Sequence, residues 1–122
     1  MLKILIAEDN VDFRQSLKDV LVRRFPTMVV EEAIDGDEAL LQGKGHQHDL
    51  IFMDINMPGK NGLEVTRAIK DSDQEAVVCL ITNHDLQEYR DAAEECGADH
   101  FIVKDDLSES LIVGLVTSIF DD

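Results

Sequence analysis

A doubly wound, three-layer α/β domain is predicted by three features of this 122-residue sequence. Short apolar runs of strand length alternate along the chain with amphipathic stretches of helical period. Strands separated by helices cannot form tight hairpins, so the sheet is expected to be parallel with right-handed crossovers. The apolar character of the first, third and fourth strands suits burial on both faces, which places helices on either side.

The first strand covers residues 2–7 and ends at the acidic pair Glu8-Asp9. Residues 11–25 place Phe13, Leu17, Val20 and Leu21 on one helical face, with Asn10 as an N-cap and Pro26 as the stop. Residues 28–33, rich in β-branched side chains, form the second strand, and 35–42 a short helix ending in Gly43-Lys44-Gly45. The third strand spans 50–54; Pro58, Gly59 and Gly62 precede a third helix over 63–70. Residues 76–81 read as an apolar fourth strand and 86–96 as a helix closed by Gly97 in the C′ position. A short fifth strand at 100–103 leads to a last helix from about Leu107, with Leu111, Ile112, Leu115, Val116, Ile119 and Phe120 in one stripe. Residues 1–122 thus read as one domain.

Composition narrows the function. With 26 acidic against 11 basic residues the formal charge is −15. That excess disfavours binding of nucleic acid or an anionic membrane by this domain and favours cations. No apolar run approaches membrane-span length, and the opening residues, which reach charge at Glu8, are not expected to act as a signal peptide. Two cysteines, Cys79 and Cys96, give no metal or disulfide framework and read as buried spectators. A cytoplasmic location is the expectation.

Open parallel sheets bind ligands beyond the carboxyl ends of their strands. Glu8 and Asp9 follow the first strand, Asp54 ends the third, Thr82 follows the fourth and Lys104 the fifth. Two carboxylates about 5 Å apart repel by roughly 3 kcal/mol at an effective dielectric near 20. Three of them with one lysine are undercompensated, so a pKa must rise or a cation must bind. Hard oxygen donors suit Mg²⁺, or Mn²⁺, better than Zn²⁺. Such an ion keeps room for water and a phosphate oxygen, so the edge is suited to a phosphoryl group.

At these positions the sequence resembles the receiver domains of two-component response regulators, and the match runs the length of the chain. It is carried by Ile6-Ala7-Glu8-Asp9-Asn10, by Met53 through Gly62, by Ile81-Thr82-Asn83 and by Gly97 through Lys104. The Lys104-Asp105 ending is similar to receivers of LuxR-type transcription regulators. The resemblance implies a flavodoxin-like strand order, 2-1-3-4-5. It also implies that Asp54 takes a phosphoryl group from phosphohistidine, with Asp9, Asp54 and the Asn56 carbonyl ligating Mg²⁺ and Glu8 acting through a bound water. Lys104 would pair with Asp54 and then with the phosphoryl oxygen; Thr82 and Phe101 would form the switch. The implied partners are a sensor histidine kinase or phosphotransfer protein, a DNA-binding output domain and a second copy on phosphorylation.

Each residue also has a plainer reading. Asp54 could cap a helix, Glu8 and Asp9 could cap the first helix, and Thr82 could open a turn. Lys104 could be a solvated strand-end lysine and Phe101 an ordinary core aromatic. His46 and His48 read as part of a solvated loop, and the acidic stretch 91–95 as a solvated helix face. Asn83 stands where the family has Ala or Gly, and Asp105 where many members have proline, so the Lys104–Asp105 peptide is expected trans. The competing functions are a Mg²⁺-dependent phosphatase with an aspartyl nucleophile, disfavoured by Asn56 in place of a second acid, and a docking module that works without phosphate.

Overall fold

The computed structural model describes residues 2–120. In chain order the elements are β1 (Lys3–Ala7), α1 (Val11–Arg24), β2 (Val29–Ala33), α2 (Gly36–Gly43) and β3 (Leu50–Asp54). They continue with α3 (Gly62–Ser72), β4 (Val78–Thr82), α4 (Gln87–Glu95), β5 (His100–Val103) and α5 (Glu109–Phe120). All neighbouring strands pair in parallel, in the order β2-β1-β3-β4-β5. This is the doubly wound architecture expected from the alternation.

Side chains alternate across the sheet and divide the core in two. Leu5, Ile51, Met53, Val78 and Leu80 pack on one face against Ala39, Val65, Ile69 and Ala93 of α2, α3 and α4. Ile4, Ile6, Leu50, Phe52, Cys79 and Ile81 pack on the other against Leu17, Leu21, Ile112, Leu115 and Val116 of α1 and α5. β3 and β4 are buried at every position, which explains their lack of polar alternation. Cys79 and Cys96 are free and buried.

The helices begin where polar caps stand. Asn10 Oδ1 accepts from Phe13 N, Asp35 Oδ1 from Glu38 N, and Asn61 Oδ1 from Glu64 N. Gly97, at φ +88, closes α4 in the left-handed conformation predicted for it. Several boundaries differ from the sequence reading. The fourth strand starts two residues later than expected and ends one residue later, at Thr82; Asp99 Oδ2 accepts from the Val78 amide at 2.9 Å at that start. The last helix does not begin at Leu107: a 3-10 turn over Lys104–Asp106 intervenes, and Ser108 Oγ accepts from Leu111 N to start α5.

His48 corrects a second expectation. It is 4% exposed, and its Nε2 lies 2.6 Å from Glu31 Oε1 on β2. His46 is exposed, as expected, and contacts Asp73. The acidic residues Asp91, Glu94 and Glu95 are exposed on α4. Among the described residues there is no cis peptide, so Lys104–Asp105 is trans as expected. No helix among them is long and apolar enough to cross a membrane.

Candidate functional site

Parallel pairing of β1 beside β3 and of β3 beside β4 brings the carboxyl ends of these strands to one edge. Glu8 leaves β1 fully buried, Asp54 closes β3 at 4% exposure, and Thr82 closes β4 fully buried. Asp9 is exposed at the same edge. Glu8, Asp9 and Asp54 each offer a carboxylate oxygen, all within 4.8 Å of one another. Position at strand ends predicts that these three meet, and the structure places them side by side.

Lys104 enters from the end of β5 with its side chain 8% exposed. Its Nζ contacts Glu8 Oε1 and lies 3.5 Å from Asp54 Oδ2, so one ammonium serves two buried carboxylates. The family resemblance implies only Asp54 as its partner; Glu8 is the nearer. The aromatic ring of Phe13 lies under the same ammonium, with 4.5 Å from Nζ to the centroid. In sequence Phe13 reads as a helix-face residue alone, because nothing local marks which strand end its ring will meet.

The remaining polar atoms are held by the chain. Glu8 Oε2 accepts from Asn10 N at 3.1 Å, and the Glu8 carbonyl accepts from Arg14 Nη1 at 2.8 Å. Arg14 is itself fixed by Glu32, 2.9 Å from its Nε. Asn56 N donates to Asp54 Oδ1 at 3.3 Å, and the Asn56 side chain is exposed. Thr82 Oγ1 accepts from His84 N at 3.1 Å, the turn-opening bond of its plainer reading, and leaves its own proton available to donate. Gly62 is required at the start of α3: a Cβ there would sit 2.1 Å from the Asp54 carbonyl oxygen. Phe101 is half-buried against the core, and Asn83 is exposed beside Thr82.

Electrostatics follow from this crowding. Burial, then the hydrogen bond and repulsion of Glu8, push the Asp54 carboxyl up to about 7, with Lys104 only partly offsetting them. Burial also acts to raise Glu8, but hydrogen bonds with Asp54, Lys104 and the Asn10 amide outweigh it and hold Glu8 below the ordinary carboxylate range. Glu8 is thus the member of the pair that ionises first as pH rises, and Asp54 the one that keeps its proton to higher pH. The donors are hard oxygens with excess negative charge, and the cluster opens to solvent through Asp9; both features fit Mg²⁺.

The model of a family described as the response regulator receiver domain matches residues 4–115. The transcriptional regulatory protein ResD of Bacillus subtilis is 34% identical over 102 residues, which is 84% of this chain and 41% of ResD. The chemotaxis protein CheY of Halobacterium salinarum is 33% identical over 102 residues, 84% of this chain and 83% of CheY. A solved structure of the response regulator TrrA from Thermotoga maritima, in complex with Mg²⁺-BeF, superposes with a TM-score of 0.85 at 29% identity. That superposition covers 98% of this chain and all of the TrrA chain. This chain therefore spans about two-fifths of the length of ResD.

Proposed function

We propose that this chain, which belongs to the response regulator receiver family, accepts a phosphoryl group on Asp54 from the phosphohistidine of a sensor kinase or phosphotransfer protein. The observation that carries this reading is the convergence of Glu8, Asp9 and Asp54 with Lys104 as shared counterion. Receivers belong to two-component signalling, and the chain is homologous to such regulators.

In the transfer, an Asp54 carboxylate oxygen attacks phosphorus. The new P–O bond forms as the P–N bond to the donor imidazole breaks, and the departing imidazole takes a proton. Asp54 must be ionised to react, so the molecules that are still protonated around pH 7 have to lose that proton first. Asp9, Asp54 and the Asn56 carbonyl, with Glu8 through a bound water, are the residues to hold Mg²⁺ or Mn²⁺. When bound, that ion neutralises charge on the transferring oxygens and lets an anion meet an anion. Lys104, already divided between two carboxylates, can pass to a phosphoryl oxygen as a compact charge without loss of a fixed fork geometry.

Thr82 then turns its hydroxyl from the His84 amide to the phosphoryl group and draws its loop inward. Phe101 moves into the space released, which converts a local change of charge into a change of surface. The same residues assist later loss of the phosphoryl group to water. The partner that reads the surface is an output domain or a second copy of the chain; ResD suggests transcriptional output, which this −15 domain would control without touching DNA.

The test is intact-mass measurement after incubation with Mg²⁺ and acetyl phosphate. Wild type is expected to gain one phosphoryl group and Asp54→Ala none. A gain by Asp54→Ala equal to wild type, or no gain by wild type, would refute the reading.

A further inference from the structure

We propose that Arg90 is a positioning residue that ties the segment after Thr82 to Phe101 and holds the resting state. The inference rests on the switch reading above and adds to it the physical link between the two switch residues. Arg90 stands in the first half of α4, and its main-chain N–H donates to the Leu86 carbonyl at 3.1 Å. Its Nε donates to Asp85 Oδ1 at 2.8 Å. Its guanidinium carbon lies 4.8 Å from the centroid of the Phe101 ring. Asp85 belongs to the segment that leaves Thr82, where Thr82 Oγ1 also accepts from the His84 amide. One side chain thus touches both the segment that carries the sensor hydroxyl and the ring that is to move.

The choice of arginine matters here. A planar guanidinium can lay its face on an aromatic ring while its edge donates to a carboxylate, and a lysine cannot do both. Phe101 is held from below by the core cluster and capped by Arg90. Beside the ring is a recess of about 250 Å³, lined in part by Arg90, Ala98, His100 and Phe101. The guanidinium contributes to keeping the ring where it is. Movement of Thr82 toward Asp54 displaces Asp85, and the Asp85–Arg90 bond carries that displacement to the cap. The Arg90–Asp85 pair is solvent-exposed and modest by itself. Two closely balanced states respond to such a contact by a several-fold change in population.

The chain has no tryptophan, so Phe101→Trp places a single fluorescent reporter at the switch. Emission and acrylamide quenching are followed while Mg²⁺ and beryllofluoride, a phosphoryl stand-in, are titrated in. Adding Arg90→Ala to this background is expected to lower the beryllofluoride midpoint about fivefold. Arg90→Lys should fall between the two, and Asp85→Asn should shift the midpoint only while Arg90 is present. An unchanged midpoint in Arg90→Ala, or an Asp85→Asn effect that is the same with and without Arg90, overturns the proposal. So does a reporter blind to beryllofluoride in a protein whose Asp54 still takes phosphate from acetyl phosphate. Failure of Asp54 to be modified at all refutes the receiver reading instead, and this proposal with it. Should the tryptophan variant not fold, the midpoint is read from the beryllofluoride dependence of melting temperature in wild type and Arg90→Ala. A lowered midpoint in Arg90→Ala then supports the proposal, and an unchanged one overturns it.

Discussion

The two ends of the sheet handle buried charge in opposite ways. Around the amino ends of the strands the charged groups are paired within the protein, and among the described residues His48 Nδ1 is the buried polar atom there that has no partner. His48 Nε2 is 2.6 Å from Glu31 Oε1, and Lys3 Nζ is 3.9 Å from the same oxygen. Lys70 Nζ donates to Asp99 Oδ2 at 3.0 Å and to the carbonyls of Gln74 and Ala76 at 3.1 and 2.6 Å. At the carboxyl ends, Glu8 and Asp54 share one ammonium with Asp9 close by, and a carboxyl is forced to hold its proton up to about 7. The first arrangement closes the molecule; the second leaves an electrostatic demand that a cation and a phosphoryl group can meet. Chemistry is located where compensation is incomplete, not simply where polar residues are buried.

Removing the shared counterion should have the largest effect. Lys104→Met leaves two buried carboxylates unpaired, and a broken buried pair costs on the order of 3–5 kcal/mol. Urea denaturation in chelator at pH 8 should show that loss. A stability equal to wild type would mean the carboxylates are better solvated than their geometry implies. At the other end, Asp99→Ala removes the partner of Lys70 and the acceptor for Val78 N. A loss of about 1–3 kcal/mol is expected in the same assay, because a partly buried donor is left unsatisfied.

Most of the site is legible in the sequence, and little of the opposite end. Asp9, Asp54, Thr82 and Lys104 can be found because each stands at the end of a strand in a fold whose strand ends share one edge. The cap at Asn10 and the turn at Gly97 can be found because their bonds are local. His48 reads as solvated because glycine and lysine lie before it; its burial depends on Glu31, on a strand two elements earlier. The close pairing of Glu8 with Lys104 joins the first strand to the last, and no local pattern encodes which of two carboxylates an ammonium will approach. Arg90 over Phe101 joins two consecutive elements, and which side chain of α4 meets the ring is set by how the helix packs on the sheet rather than by a local pattern. Contacts between elements distant in sequence are fixed by packing.

The smallest effect belongs to a conservative exchange at the amino end. Glu31→Gln keeps an oxygen for His48 and should change stability by less than about 1 kcal/mol. The same carboxylate-to-amide exchange at the carboxyl end tests the account most directly. Because the folded protein holds the Asp54 carboxyl above its ordinary 3.8, to about 7, ionising it opposes folding. That penalty grows as pH rises from 4 to 7 and is complete above 7. In chelator at pH 8, Asp54→Asn should therefore be more stable than wild type by on the order of 2–4 kcal/mol, and its advantage should fade as pH is lowered toward 4. Denaturation of Asp54→Asn beside Glu31→Gln decides the matter: a gain for the first and near-neutrality for the second is the prediction. An Asp54→Asn protein less stable than wild type at pH 8, or an advantage independent of pH, would contradict the claim that this end of the sheet is left undercompensated.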